Sequence, residues 1–276
     1  MEKLPITAVI LTKNEEQMIV NCIETVQWCQ EVVVIDSEST DSTIQLAKRS
    51  GAIVYSTDKD SFAERRNYGR TKARAAWIFY LDADERVTPE LMKEIKLAVT
   101  ENSVTALSLH RQNFHYGKMM KHGGWQNDHL VRVFKMSALQ GWSGKVHESP
   151  DFKGNVKKLE SPLIHLTHRN MVEGLRKTID WTGYEAELLF QAHHPHVTVR
   201  TLVRKTCMEF IRRAVLWDGR KDGVEGWIEA LVQAMNKFIV FERLWELQRK
   251  PSLDQTYQSL DQGITEAWSE FESQHK

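Results

Sequence analysis

Along the first hundred positions the apolar residues fall into short unbroken runs, separated by segments in which they recur every third or fourth position. "ITAVILT" (6–12), "EVVVID" (31–36), "AIVYS" (52–56) and "WIFYL" (77–81) are β-rich runs without polar alternation, the pattern of strands buried on both faces. Between them "NEEQMIVNCIETVQ" sets Met18, Ile19, Cys22, Ile23 and Val26 on one helical face. "STDSTIQLAKRSG" is a capped helix stopped by Gly51. Ser61 and Glu64 form a capping-box pair opening "FAERRNYGRTKA", and Thr88-Pro89 starts a further helix. Strand–helix alternation of this kind predicts an α/β fold with a mostly parallel sheet flanked by helices on both faces. Ligands of such sheets gather beyond the carboxyl ends of the strands.

The pattern then changes twice. Over about 103–168, β-like pieces ("VTALSLHRQNFH", "HLVRVFK", "SPLIHLTH") are separated by Gly- and Trp-rich loops, which predicts a mixed second half of the same sheet with long functional loops. From 169 onward the chain is helical. Val224, Trp227, Ile228, Leu231, Met235, Phe238, Ile239 and Trp245 keep a 3.6-residue period, and the tail from Pro251 is polar with one weak amphipathic stretch. The expected division is 1–168 as the α/β region and 169–276 as a C-terminal helical extension.

Composition narrows the classes. A chain of 276 residues accommodates one large α/β domain with an appendage. Its formal net charge is zero, so no nucleic-acid partner is expected. The three cysteines, Cys22, Cys29 and Cys207, lack metal-ligand spacing. Cys22 and Cys29 fall on the first predicted helix and are expected as small core residues of a reducing compartment. The start, "MEKLPITAVIL", has no long apolar region or small-residue cleavage site, and no run approaches the roughly 18 apolar residues of a membrane span. A cytoplasmic protein is expected, attached to a membrane at most peripherally.

Candidate chemistry sits where the runs end. "FYLDADERV" (79–87) carries a buried strand straight into Asp82 and Asp84. Two ionised carboxylates this close repel unless a divalent cation or a strong hydrogen-bond network offsets the repulsion. The first strand delivers Thr12, Asn14 and Glu15; the second delivers Asp36, with Ser37, Ser39 and Asp41 behind it. Arg65, Arg66 and Asn67 lie one helix upstream of the aspartate pair. Carboxylate oxygens select hard cations such as Mn²⁺ or Mg²⁺, which bridge to phosphate oxygens. Acids at strand ends with arginines beside them suit a metal-bound, anionic nucleotide.

The stretches "AVILTKNEE", "VVVIDSESTDST", "ERRNYG" and "FYLDADERV", in this order and spacing, resemble the family 2 glycosyltransferases of GT-A fold. "KHGGWQNDHLVRVFK" and "GWSGKVHE" resemble the bacterial branch containing lipopolysaccharide inner-core β-glucosyltransferases, so that the resemblance covers roughly residues 5–170. It implies a GT-A-like sheet and an inverting transferase that moves a sugar, glucose first among candidates, from a UDP-sugar to a saccharide or lipid-linked saccharide acceptor. It further implies that Asp36 hydrogen-bonds the uracil, that Thr12 and Glu15 line the nucleoside pocket with Asn14, and that Arg66 approaches the diphosphate beside Asn67. Asp82, Ala83 and Asp84 would meet ribose and metal, Asp84 being the more direct ligand, with His147 or His165 as an added ligand. The family's acidic "ED" becomes "NDHLVR" here, which leaves Asp128 as the base with Arg132 as its neighbour, and Glu148 as a rival carboxylate. Gly123 and Gly124 match a glycine loop at the donor sugar, and Trp125 and Trp142 are candidates either for stacking on sugar or for core packing.

The basic, amphipathic segment around Arg200, Arg204, Lys205, Arg212 and Arg213, with Leu202, Phe210, Ile211 and Trp217, can lie on the inner face of the cytoplasmic membrane or pack as an ordinary helix. Other classes fit less well. A DxD phosphohydrolase needs the pair after the first strand, and a Rossmann dehydrogenase needs a glycine fingerprint where "LTKNEE" has none. A GT-A module that only binds nucleotide is the non-enzyme alternative, disfavoured because the expected acidic positions are filled.

Overall fold

The four apolar runs form strands β1 (Leu4–Thr12), β2 (Cys29–Asp36), β3 (Ile53–Ser56) and β4 (Trp77–Asp82) in a computed structural model that describes residues 2–59, 61–101, 103–144 and 148–275. They pair in parallel in the order β3-β2-β1-β4. The intervening helices are α1 (Ile19–Glu24), α2 (Thr43–Arg49), α3 (Phe62–Lys72) and α4 (Pro89–Glu101). Because successive strand residues point to opposite faces, Ile6, Ala8 and Ile10 meet Ile19, Cys22 and Ile23 of α1 on one side. Val9, Leu11 and Ile78 join the core on the α3 side with Ala63. Gly69 lets α3 close on the sheet, since a Cβ there would stand 2.5 Å from Val9 Cγ1.

Local chemistry explains the helix ends. The capping box of Ser61 and Glu64 is formed in both directions (3.2 and 3.3 Å), and Thr88 Oγ1 accepts the Leu91 N–H at the start of α4. Two expectations need correction. The first helix begins at Ile19 rather than at the Asn14–Gln17 stretch, because the N–H groups of Asn14, Glu15 and Glu16 bond the side chains of Ser39, Thr43 and Asp41. Cys29 is not helical: the chain turns at Val26–Trp28, where the Trp28 indole donates to Thr25 O, and Cys29 opens β2. Cys22 and Cys29 are both fully buried, and Cys207 is exposed.

The second half adds β5 (Glu85–Val87), β6 (Ala106–His115), β7 (Lys118–Met119), β8 (His129–Lys135), β9 (Leu139–Ser143), β10 (Ser149–Phe152) and β11 (Val156–Leu166). The sheet continues β4-β8-β6-β11-β5, with β8 antiparallel to both neighbours, β11 parallel to β6, and β5 antiparallel to β11. It is therefore parallel in its first half and mixed in its second, while β9 and β10 form a separate two-stranded ribbon. Ala83 and Asp84 alone connect β4 to β5, although three strands separate those two in the sheet. So short a link requires the mixed half to curl back on itself, which walls in the residues around Asp82.

The remainder is α5 (Met171–Gln191), α6 (Val199–Ile211), α7 (Gly223–Gln248) and α8 (Leu253–Gln274), with one π-helical turn at Arg212–Leu216 after α6. Ala186, Val197, Phe241 and Leu244 form its own small core. Asp222, just before α7, docks this region by accepting the N–H groups of Lys121 and His122 (3.0 and 2.8 Å) and contacting the His122 ring. The weakly amphipathic tail is a full helix, α8, in which no residue is buried. No helix among the described residues is long and apolar enough to cross a membrane.

Candidate active site

Register brings the strand ends level. Thr12 pairs with Asp36 across β1 and β2, and Leu11 pairs with Asp82 across β1 and β4. Asp36 is fully buried, and Ser39 donates to its carboxylate from both the N–H (2.9 Å) and the hydroxyl (2.5 Å). The hydroxyls of Thr12 and Ser37 are buried here without hydrogen-bond partners. Asn14 takes a left-handed backbone (φ 54°) and accepts the Thr40 N–H at 2.8 Å. Glu15 Oε2 lies 3.5 Å from Arg169 Nη2, so the β1 end is joined to the start of the helical region.

Both oxygens of Asp82 are held by buried arginines: Oδ1 by Arg66 Nη2 at 3.1 Å, and Oδ2 by Arg132 Nη2 at 3.0 Å. Arg66 also donates to Glu148 Oε1 from Nε (3.3 Å) and Nη2 (3.2 Å), and lies against the rings of Tyr80 and Trp142. Three guanidinium nitrogens, Arg66 Nη1 and Arg132 Nε and Nη1, are buried without hydrogen-bond partners. Buried unpaired donors are costly, and three cationic ones converging on one wall suit an anion with several oxygens. Burial would raise the Asp82 carboxyl, but Arg132 and Arg66 hold it down to about 2.

A folded value below the unfolded one adds stability that is fully present above the ordinary aspartate range and lost as pH falls from about 4 toward 2, roughly 2 kcal/mol in all. Urea titrations at about pH 6 and pH 2.5 measure the decline. Asp82→Asn is expected to flatten it, and an equal decline in that variant would place the acid sensitivity elsewhere.

From Asp82 a circuit of polar contacts returns to Asp84. The Asp82 N–H donates to Glu85 Oε2 (2.9 Å), and Glu85 Oε1 meets Arg111 Nη1 (3.4 Å). Arg111 Nε and Asn113 Nδ2 donate to the same oxygen of Asp128, at 2.7 and 3.0 Å. Asn113 Oδ1 accepts from His165 Nδ1 (2.6 Å), and His165 Nε2 stands 3.4 Å from Asp84 Oδ2. Burial raises the Asp128 carboxyl, but Arg111 and the Asn113 amide outweigh it and hold it below its ordinary range.

The circuit fixes the His165 tautomer. Asn113 must point its NH₂ at the Asp128 carboxylate, which leaves its carbonyl for His165 Nδ1–H. A neutral His165 then aims its Nε2 lone pair at an Asp84 oxygen. Two lone pairs facing each other need a shared cation, either a proton or a metal ion. Asp84 and His165 thus fit a divalent ion, whereas Asp82 is neutralised by arginines.

The remaining expected residues are placed as follows. Ala83 lies between the aspartates, and its N–H bonds Leu11 O at 3.2 Å. Asn67 exchanges two hydrogen bonds with the Trp142 backbone, both 2.8 Å, and so ties α3 to β9. Trp142 packs edge-on to Tyr80 and Phe134 in the core. Gly124 (φ 94°) faces the helical region, where a Cβ would lie 2.6 Å from the Trp217 ring. The Trp125 ring lies tilted against His115, centroids 4.5 Å apart, and under Arg213. Arg111, Met120, Trp125 and Gln126 line an open cavity of about 220 Å³ next to Asp128's partner. His147 lies outside the described residues.

Glu85, Arg111, Asn113 and Arg169 were not anticipated. A signal existed in β6: the face that begins with Leu107 and Leu109 continues as Arg111, Asn113 and His115. A core-facing stripe that turns polar midway marks a buried polar wall.

Residues 7–157 match the domain Glycosyl transferase family 2. Over 267 residues the chain is 25% identical to the lipopolysaccharide core biosynthesis glycosyltransferase LpsC of Rhizobium meliloti, covering 91% of this chain and 97% of that one. It is also 25% identical over 267 residues to an uncharacterized glycosyltransferase of Rickettsia bellii, covering 88% and 86% respectively. Among solved structures, a mannosyltransferase from Pyrobaculum calidifontis in complex with GDP-Man and Mn²⁺ aligns with a TM-score of 0.48 at 14% identity, over 86% of this chain and 74% of that one. TarS of S. aureus aligns at 0.43 and 12% identity, and the chain spans 49% of its length.

Proposed function

Because the chain belongs to glycosyl transferase family 2, we propose that its polar circuit receives a UDP-sugar and passes the sugar, with inversion, to a hydroxyl of a saccharide acceptor of the lipopolysaccharide-core type. The observation that carries this reading is the joining of Asp82, Asp84, Arg66, Arg132, Asp128 and His165 in one connected network. The match to LpsC over nearly the whole of both chains supports the acceptor class, and glucose is the first donor sugar to test.

Each residue has a task in this scheme. Asp36 faces the uracil, with Thr12, Ser37, Asn14 and Glu15 around the nucleoside. The unpartnered nitrogens of Arg66 and Arg132 meet the diphosphate. Mn²⁺ or Mg²⁺ held by Asp84 and His165 would supply further positive charge to the diphosphate oxygens. The acceptor enters from the cavity lined by Arg111, Trp125 and Gln126. Its oxygen attacks the anomeric carbon, the bond from that carbon to the diphosphate oxygen breaks, and the acceptor proton passes to Asp128. Both hydrogen bonds to Asp128 fall on Oδ2, which leaves Oδ1 to accept that proton. Charge developing on the leaving diphosphate falls opposite the two arginines, so their attraction is stronger in the transition state than in the ground state. Glu148, the rival base, is engaged by Arg66 twice over and positions that guanidinium.

Calorimetry with UDP, in Mn²⁺ and in chelator, tests the donor side. Affinity is expected to fall in chelator and in His165→Gln, and equal affinity in both conditions would remove the cation from the scheme. Release of nucleoside diphosphate from a panel of sugar nucleotides identifies the donor, and no release from any of them would sink the transferase reading.

The proposed compartment is the cytoplasm, with α6 resting on the inner membrane face. Arg200 and Arg204 are exposed there among the exposed Val199, Val203, Met208 and Ile211. Co-sedimentation with anionic vesicles, lost in Arg200→Glu/Arg204→Glu, is the expected result.

A further inference from the structure

A second cluster of ligand-type side chains lies away from the aspartate pair, where the catalytic sheet meets the helical region. We propose that His115, His168 and Glu229 form a zinc site that fastens α7 to the sheet. His115 is the last residue of β6 and fully buried; His168 follows β11; Glu229 sits on α7 and is 2% exposed. The Nδ1 atoms of the two histidines are 3.1 Å apart, and His115 Nδ1 is 3.1 Å from Glu229 Oε2. One ligand atom from each residue falls within 4.8 Å of the other two.

The two 3.1 Å separations at His115 Nδ1 fit a shared metal ion. A tetrahedral ion with bonds of about 2.0–2.1 Å sets its ligands about 3.3 Å apart. Without an ion, a single Nδ1–H on His115 would have to serve both an imidazole nitrogen and a carboxylate oxygen. Glu229 Oε2 is buried without a well-formed hydrogen bond of its own. Glu229 Oε1 accepts from Gln233 Nε2 at 2.8 Å, the kind of outer contact that steers a ligating carboxylate.

Two imidazoles and one carboxylate favour zinc over the all-oxygen preference of Mg²⁺. The chemistry also separates this site from the one at Asp84. Its three residues come from β6, the segment after β11, and α7, so one ion would cross-link all three. The His115 ring packs on Trp125, so the ion would also steady the glycine loop beside the proposed acceptor cavity.

The test is zinc binding to the chelator-stripped full chain, measured by competition with a chromophoric chelator, together with the visible spectrum of the Co²⁺-loaded protein. The expected result is one tight equivalent with an intense tetrahedral Co²⁺ spectrum in the wild type and in Asp84→Asn. His168→Gln and Glu229→Gln should each weaken zinc by more than about 100-fold, beyond the 10–100-fold range of outer-contact changes. Should either variant fail to fold, the wild-type Co²⁺ spectrum still decides between tetrahedral nitrogen ligation and none. The proposal is overturned if the wild type takes up no zinc, if its Co²⁺ spectrum is weak and octahedral, or if Asp84→Asn abolishes binding.

Discussion

Asp128→Asn is expected to bind UDP and Mn²⁺ like the wild type and to transfer sugar about 10²–10⁴-fold more slowly, the range general-base catalysis supplies. The substitution keeps shape and a carbonyl oxygen that can still accept from Arg111 and Asn113, while Arg111 retains Glu85 as its counter-charge. What is lost is the proton acceptor. Because its neighbours hold the Asp128 carboxyl below its ordinary range, the base stays ionised throughout the neutral region, and no acid limb of the rate profile from this group should appear near pH 6–7. Steady-state kinetics with a saccharide acceptor, with NMR of the product anomer, measures both effects. Glu148→Gln serves as the comparison. Wild-type transfer by Asp128→Asn beside a dead Glu148→Gln would exchange the two roles, and a product of retained configuration would remove the single-displacement mechanism.

Arg66→Ala is expected to be the most destabilising change at the site. Arg66 is 1% exposed, enclosed by Tyr80 and Trp142, and holds carboxylate oxygens of both Asp82 and Glu148. Removing one member of a buried charge network strands the others, which typically costs about 3–5 kcal/mol. Urea midpoints at pH 7 give the loss, and calorimetry gives the accompanying fall in UDP affinity. Arg66→Lys keeps the charge but not the fork that reaches two carboxylates. It should fold with an intermediate midpoint and still bind UDP weakly. Wild-type stability for Arg66→Ala would show that the network carries little of the fold's free energy.

The parallel half of the GT-A-like α/β fold was legible because each of its strands is an uninterrupted apolar run and because α3 and α4 open on side-chain caps, Ser61 with Glu64 and Thr88. The mixed half was legible only in outline. β5 is three residues long, and its pairing partner is β11, so nothing local distinguishes Glu85–Val87 from a turn. The acid at its head, Glu85, therefore went unnoticed beside two better-known aspartates. Arg111 and Asn113 become site residues only once β6 lies between β8 and β11. The strand ends predicted Asp36, Asp82 and Asp84 as neighbours, but that Asp82 would be taken up by Arg66 and Arg132 depends on side chains brought to it from α3 and from the distant β8. The first helix was drawn too long because the competing bonds from Ser39, Asp41 and Thr43 are non-local.

The short link between β4 and β5 bears on the order in which the chain is made. Glu85 leaves the ribosome well before His165, yet among the described residues β5 pairs with β11 alone. The loop joining them must close over β6, β8 and the β9–β10 ribbon, and closure over a long separation is slow because its entropy is lost before its contacts form. The nascent chain can thus complete its parallel half early while Asp84 still lacks His165. In the proposed scheme the cation site is therefore completed late, when β11 pairs with β5, and a chain arrested before His165 carries Asp82 and Asp84 without their histidine partner.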